Sequence, residues 1–222
     1  MIKVVSVLKR RSGMSVEAFQ DYWSNQHSGL VAQLPSLKRY VQSHTRLSGY
    51  KNREPAVDGI SELWFDDTDA LSALQASPLL GVVAEDEKEF IDTGSQIQLL
   101  VEEHVIKDEG ICGAGVKNIE IVRRKAGMQV EAFQTHWRET HGPLGAAIPQ
   151  VDRYVQNHAR LSSYQSGREP LIDGLALTWF ADTDAMRASA KTSEYDDTRA
   201  DEDNFVTVPL DFVIATEYVI LE

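Results

Sequence analysis

The chain contains the same motif set twice. Phe19, Trp23 and His27 return as Phe133, Trp137 and His141, 114 positions later (141 − 27). The run Arg39-Tyr40-Val41-Gln42-Ser43-His44 returns as Arg153-Tyr154-Val155-Gln156-Asn157-His158. After one inserted residue, Arg53-Glu54-Pro55 with Asp58-Gly59 matches Arg168-Glu169-Pro170 with Asp173-Gly174, and Trp64-Phe65 matches Trp179-Phe180. A duplication this long decides the organisation of the fold before any single residue does. The 222 residues divide into two copies, each the size of a small domain. The first spans residues 1–107, the second 115–222, and residues 108–114 with their flanking glycines read as a linker.

Each copy reads as strand, helix, strand, long loop, strand, helix, strand. In the first copy the strands fall at Ile2–Lys9, Leu37–Arg46, Ile60–Phe65 and Ile97–Ile106. Ser15 suits the N-cap of a helix reaching about Gln26, and Asp67 or Thr68 suits the next cap. The order β-α-β-β-α-β is the ferredoxin-like arrangement of an α+β fold, with both helices on one face of a four-stranded sheet. The uncovered face needs a partner. Two copies placed sheet to sheet supply it, and a cavity between the sheets is expected.

Strand parity then sorts the side chains. Val5 and Val7 match Ile119 and Ile121, so that parity is expected to pack on the helices. The opposite parity holds Val4 and Ser6 in the first copy but Asn118 and Glu120 in the second. On the second strand, Tyr40, Gln42 and His44, like Tyr154, Gln156 and His158, share one face and are expected to line the cavity. Inward polar groups need partners or a function. His27 and His141 share a helical face with the preceding Trp and Phe. Each could end its helix against the C-terminal dipole, or reach the cavity edge as a proton-transfer group.

Taken together, the spacing of Phe19, Trp23 and His27, the Leu34-Pro35-x-Leu37-x-Arg39-Tyr40-Val41-Gln42 run and the Asp58-Gly59 to Trp64-Phe65 segment resemble the EthD domain family. Both halves match. The resemblance implies the dimeric α+β barrel superfamily, here with one chain building an intramolecular barrel from two repeats. It also implies small-molecule chemistry, since family members occur in degradation operons or resemble fungal polyketide-tailoring decarboxylases and dehydratases. Carried onto this chain, the family positions are His27 and His141, Tyr40 and Tyr154, and Gln42 and Gln156. Wider relatives include cofactor-free monooxygenases and haem enzymes, and fold alone does not choose among them.

Charge and motif content narrow the partners. A net charge of −12 offers no basic face to nucleic acid or anionic membranes. No apolar run reaches the length of a membrane span. The apolar Ile2–Leu8 stretch precedes the basic Lys9-Arg10-Arg11 cluster, the reverse of a secretory leader. The single Cys112 cannot form an internal disulfide, so a cytoplasmic location is expected. Glycine-rich phosphate loops, nucleophile elbows and zinc-spaced Cys/His clusters are absent from the sequence. No cofactor and no metal are expected, and neither is haem absorbance. Asp58 and Asp173 read as turn residues before a strand. The Glu54 and Glu169 loops read as solvated charge or a cavity mouth, and Trp64 and Trp179 as core or as stacking surface for an aromatic ligand.

The leading functional reading is an enzyme of cofactor-independent proton transfer acting on an apolar aromatic or polyketide-like carbonyl compound. Decarboxylation, dehydration, isomerisation and cyclisation all need a base and an oxyanion donor. His27 or His141 would be the base, with His44 or His158 as its partner. Tyr40, Tyr154, Gln42 and Gln156 would face the oxyanion, and Asn118, Trp64 and Trp179 the substrate. Glu120 adds a carboxylate base that inclines this reading to the second half. A cofactor-free oxygenase and a non-catalytic carrier remain alternatives, and so does association of the pseudo-dimer with a second copy.

Overall fold

The computed structural model describes residues 1–111, 115–165 and 169–222, so Cys112, Arg168 and part of the expected linker lie outside the described residues. Two compact units emerge. The first comprises Met1–Leu100 and Glu217–Glu222, the second Val101–Thr216.

In the first unit the order is β1 (Ile2–Leu8), α1 (Val16–Tyr22), a π-helical turn at Trp23–His27, α2 (Ser28–Val31), β2 (Leu37–Thr45), β3 (Gly59–Phe65), α3 (Thr68–Gln75), α4 (Pro78–Phe90) and β4 (Ile97–Asp108). The second unit repeats it as β5 (Val116–Val122), α5 (Val130–His136), a π-helical turn at Trp137–His141, α6 (Gly142–Ala147), β6 (Arg153–Ala159), β7 (Gly174–Phe180), α7 (Thr183–Ser189), α8 (Ser193–Phe205) and β8 (Asp211–Leu221). Local chemistry sets the helix starts. Ser15 accepts from the Ala18 amide at 3.1 Å and Asp67 from the Ala70 amide at 2.9 Å. Pro78 occupies the first turn of α4, where its missing N–H costs nothing. Gln129, opposite Ser15, makes no side-chain cap.

Each unit carries the ferredoxin-like strand order, β4-β1-β3-β2 in the first and β8-β5-β7-β6 in the second, and all eight strands follow one closed order. The expected α+β barrel class holds. Each repeat's last strand runs on into the other unit: residues from Val101 in β4 pair with β6, while Glu217 onward belongs to the first unit.

The face assignment differs from the one expected. Pairing aligns Val4 with Leu63 and Tyr40, Ser6 with Ser61 and Gln42, and Leu8 with Gly59 and His44. That row, not the Val5 and Val7 row, lies under the helices: Leu8 clusters with Phe19, Trp23 and Phe90, and Tyr40 with Val31, Leu34 and Phe65. Apolar parity misleads here because both faces of the sheet are buried. The other face holds Val5 and Val7 together with a buried Lys3–Glu62 ion pair at 2.7 Å. Lys3 Nζ lies 4.4 Å from the ring centre of Trp64, and Lys117 Nζ lies 4.7 Å from that of Trp179. The two tryptophans therefore stand on the face away from the helices and from His27 and His44.

Among the described residues no helix is long and apolar enough to cross a membrane.

Candidate functional site

The π-helical turns build the site. An α-helical hydrogen bond joins residues four apart; here the Ser28 amide donates to the Trp23 carbonyl, one residue wider, and Gly142 repeats this with Trp137. Such widened turns recur at functional sites. Gln42 Nε2 braces the turn by donating to the same Trp23 carbonyl at 3.0 Å and to the Tyr40 hydroxyl at 2.7 Å. Its Oε1 takes the His44 Nε2 proton at 2.9 Å. His44 stacks on Trp23 with ring centres 4.3 Å apart, and Trp23 Nε1 donates to Tyr40 at 3.1 Å. Gln156, Tyr154, His158 and Trp137 repeat the network.

This arrangement corrects three sequence-based assignments in each half. Both amide protons of Gln42 and Gln156 are spent on the turn, so neither is left for an oxyanion. Tyr40 and Tyr154 are bound into the same network, with burial pushing Tyr40 up to about 12 and Tyr154 higher still. His44 and His158 lie beneath tryptophan and do not partner His27 and His141; burial lowers them to about 4 and about 3. These residues hold the turn in place.

The partner of His27 is Asp86, on α4. Asp86 Oδ2 lies 2.6 Å from His27 Nδ1, and Tyr22 donates its hydroxyl to Oδ1 at 2.8 Å. A carboxylate only accepts, so Nδ1 carries the proton and Nε2 is the nitrogen left for chemistry. Phe90 packs 4.7 Å from the imidazole, centre to centre. Burial holds the His27 pKa below 6.5, against the opposing pull of Asp86. Tyr22, by donating to Asp86, is pushed up to about 12.

His27 opens onto a cavity of about 480 Å³ between the helices and the sheet of the first unit. Leucine, valine and phenylalanine make up most of its wall, with Ser6, Ser61, Gln96, Gln98 and Glu87 as polar points. Gln98 Nε2 approaches Ser6 Oγ at 3.4 Å, and Gln96 Nε2 approaches Glu87 Oε1 at 3.3 Å. Burial raises the Glu87 pKa above its usual value, the Gln96 contact opposing it and the neighbouring Asp86 charge adding to it. A neutral imidazole and a carboxyl biased toward its protonated form thus share one apolar space.

The second unit repeats the dyad in altered form. Asp201 Oδ2 lies 3.1 Å from His141 Nδ1, and His136, standing where the first copy has Tyr22, places Nε2 3.0 Å from Oδ1. Burial lowers the His141 pKa, again opposed by its aspartate. Burial also works to raise Asp201, but hydrogen bonds from Asn204, His136 and His141 hold it below its usual value. The cavity here is only about 60 Å³, and Asn118 and Glu120 line it.

Sequence reasoning missed Asp86, Glu87 and their counterparts Asp201 and Glu202. The signal was present: the offset of 115 that relates Asp58 to Asp173 (173 − 58) also relates Asp86-Glu87 and Phe90 to Asp201-Glu202 and Phe205. The Asp58 turn has a firmer role than expected. Asp58 is fully buried and takes the Arg10 amide at 2.8 Å, the Arg10 guanidinium at 2.5 Å and the Tyr50 hydroxyl at 2.5 Å. Glu54 joins it by pairing with Lys9 and Arg10. Among the described residues, no three His, Cys, Asp or Glu side chains converge as a metal site requires.

The EthD domain model matches residues 11–94 and again residues 125–209. A search of curated protein sequences gives no match. Among solved structures, the chain is similar to a candidate monooxygenase from Lactobacillus acidophilus NCFM, with 15% identity, 98% of this chain and 94% of that one covered, and a TM-score of 0.56. It is also similar to a candidate monooxygenase from Fusobacterium nucleatum, with 7% identity, coverage of 98% and 93%, and a TM-score of 0.64. An anthrone oxidase-like protein aligns with 11% identity, coverage of 100% and 94%, and a TM-score of 0.63. Identities this low carry the fold and nothing finer. The two family matches together take in most of the sequence, and the chain belongs to the EthD domain family as a tandem duplicate.

Proposed function

We propose that the first half is a cofactor-independent enzyme that removes a proton from an acidic C–H next to a carbonyl in an apolar, aromatic or polyketide-like compound. One observation carries the reading: a buried His27–Asp86 dyad whose histidine lines an apolar cavity of about 480 Å³. Apolar walls select the substrate, and the few polar points orient it. His27 Nε2 takes the proton while Asp86 supports the imidazolium that forms. The C–H electron pair moves onto the carbonyl oxygen as an enolate, within a cavity whose amide and hydroxyl groups come from Gln75, Gln96, Gln98, Ser6 and Ser61. Glu87, held toward its protonated form, supplies a proton to the enolate or to a departing hydroxide. The imidazolium can return its proton at another carbon, giving isomerisation or cyclisation.

A second reading shares the first step. If dioxygen enters, the carbanion is oxidised: an anthrone CH₂ becomes the quinone carbonyl, with water as the other product. The names of the monooxygenase and anthrone oxidase-like neighbours favour keeping it.

Anthrone distinguishes the readings. Without oxygen, the enzyme should wash deuterium from solvent into the acidic CH₂ position, and His27→Ala should slow this about 10²–10⁴-fold at nearly unchanged melting temperature. Oxygen uptake matching anthrone loss would favour the oxygenase. Tight binding of anthrone with neither exchange nor uptake would leave a carrier.

A further inference from the structure

The two halves are unequal at matched positions, and the inequality is concentrated around one side chain. Ala84 of α4, on the wall of the first cavity, is replaced by Arg199 of α8. Ser6 is replaced by Glu120 and Leu80 by Tyr195. Arg199 Nη1 lies 2.7 Å from Glu202 Oε1 and 3.6 Å from Glu120 Oε1, so it ties the strand face to the helix across the space that stands open in the first half. Val4, Leu63, Leu74 and Val83 become Asn118, Thr178, Ser189 and Thr198, which replaces four apolar wall positions with polar ones. The space left is about 60 Å³ against about 480 Å³.

We propose that the second half carries a closed duplicate of the site, held shut by the Arg199 bridge between Glu120 and Glu202, so that each chain binds a single apolar ligand, in its first half. The physical reason is twofold. Space for a ring system is gone, and the remaining wall carries charge that an apolar ligand would have to strip of its partners. Position 84, with its counterpart 199, is then the residue that decides whether a half admits ligand. The proposal concerns occupancy and stands apart from the chemistry assigned to His27.

The test is the binding stoichiometry of the neutral fluorophore phenylnaphthylamine, titrated to equivalence on the full chain, with folding followed by circular dichroism. The wild type should take one equivalent. Ala84→Arg should weaken binding at least about tenfold, toward none. Arg199→Ala combined with Glu120→Ser, which restores the first-half residues, should raise the ratio to two. Two equivalents on the wild type, none at all, or one equivalent kept at full affinity by Ala84→Arg would each overturn the proposal. So would a folded double variant that still takes only one. If the double variant fails to fold, the wild-type ratio and Ala84→Arg decide the matter between them.

Discussion

Glu202 and His27 show how burial works in opposite directions on an acid and a base. Burial first, and the facing Glu120 second, push Glu202 up to about 7, although Arg199 draws it down. A carboxyl with a raised folded pKa holds a proton that the unfolded chain has already released, so its contribution to stability falls as pH rises from about 4.5 to about 7. The full span is worth roughly 3 kcal/mol at most, shared with Glu120. Glu202→Gln should therefore flatten the loss of stability between pH 5 and pH 8, read as urea midpoints at each pH. An unchanged slope would place the effect elsewhere. The lowered pKa of His27 has the other sign: the neutral ring favours the fold above pH 6.5 and loses ground as pH falls below it. The dyad stays a base at neutral pH for the same reason that it weakens the fold in acid.

At the scale of elements, the π-helical turn and the strand beneath it form one device. The glycine repeated in both halves has a steric cause: a Cβ on Gly59 would sit 2.3 Å from Trp23 Cζ3, and one on Gly174 would sit 2.8 Å from the Trp137 ring. Gly59→Ala should cost about 1–3 kcal/mol in a denaturant titration, because the indole must leave its stack on His44. Gln42→Leu takes one hydrogen bond each from the Trp23 carbonyl and the Tyr40 hydroxyl, which keep the Ser28 amide and Trp23 Nε1, and strands His44 Nε2, at about 1–3 kcal/mol for the buried group left unpaired. Its activity should fall only in proportion to folding, in contrast to His27→Ala. A stable, inactive Gln42→Leu would return Gln42 to the substrate. Repeats, caps and the shared face of Tyr40, Gln42 and His44 were legible in the sequence because spacing and parity encode them. Which face the helices cover was not, since Val5 and Ser6 are both buried and burial alone does not say by what. Asp86 was legible only as a repeated position; its pairing with His27 was not, because the two meet only after α4 folds back over the sheet.

At the scale of the whole molecule, repeats in sequence and units in space do not coincide. Glu217–Glu222 close the second repeat yet belong to the first unit, where Ile220 and Leu221 pack on the cluster of Val31, Leu34, Tyr40 and Phe65. Val31, Leu34 and Phe65 also wall the open cavity. Removing 217–222 should loosen the first unit selectively and weaken phenylnaphthylamine binding, with hydrogen exchange rising in β2 and α2 before β5 and β7. Uniform protection in the truncated chain would show that the terminal strand is dispensable. The net charge of −12 left the fold open, whereas the duplication settled strand order and copy number together.

The proposed activity turns on the state of one imidazole, and long-range proton–nitrogen NMR of the histidine-labelled protein observes it without knowledge of the substrate. His27 should be neutral at pH 7, protonated on Nδ1 and bare on Nε2, with a titration midpoint below 6.5. A His27 that carries its proton on Nε2, or that is already charged at pH 7, would contradict the assignment of this residue as the base.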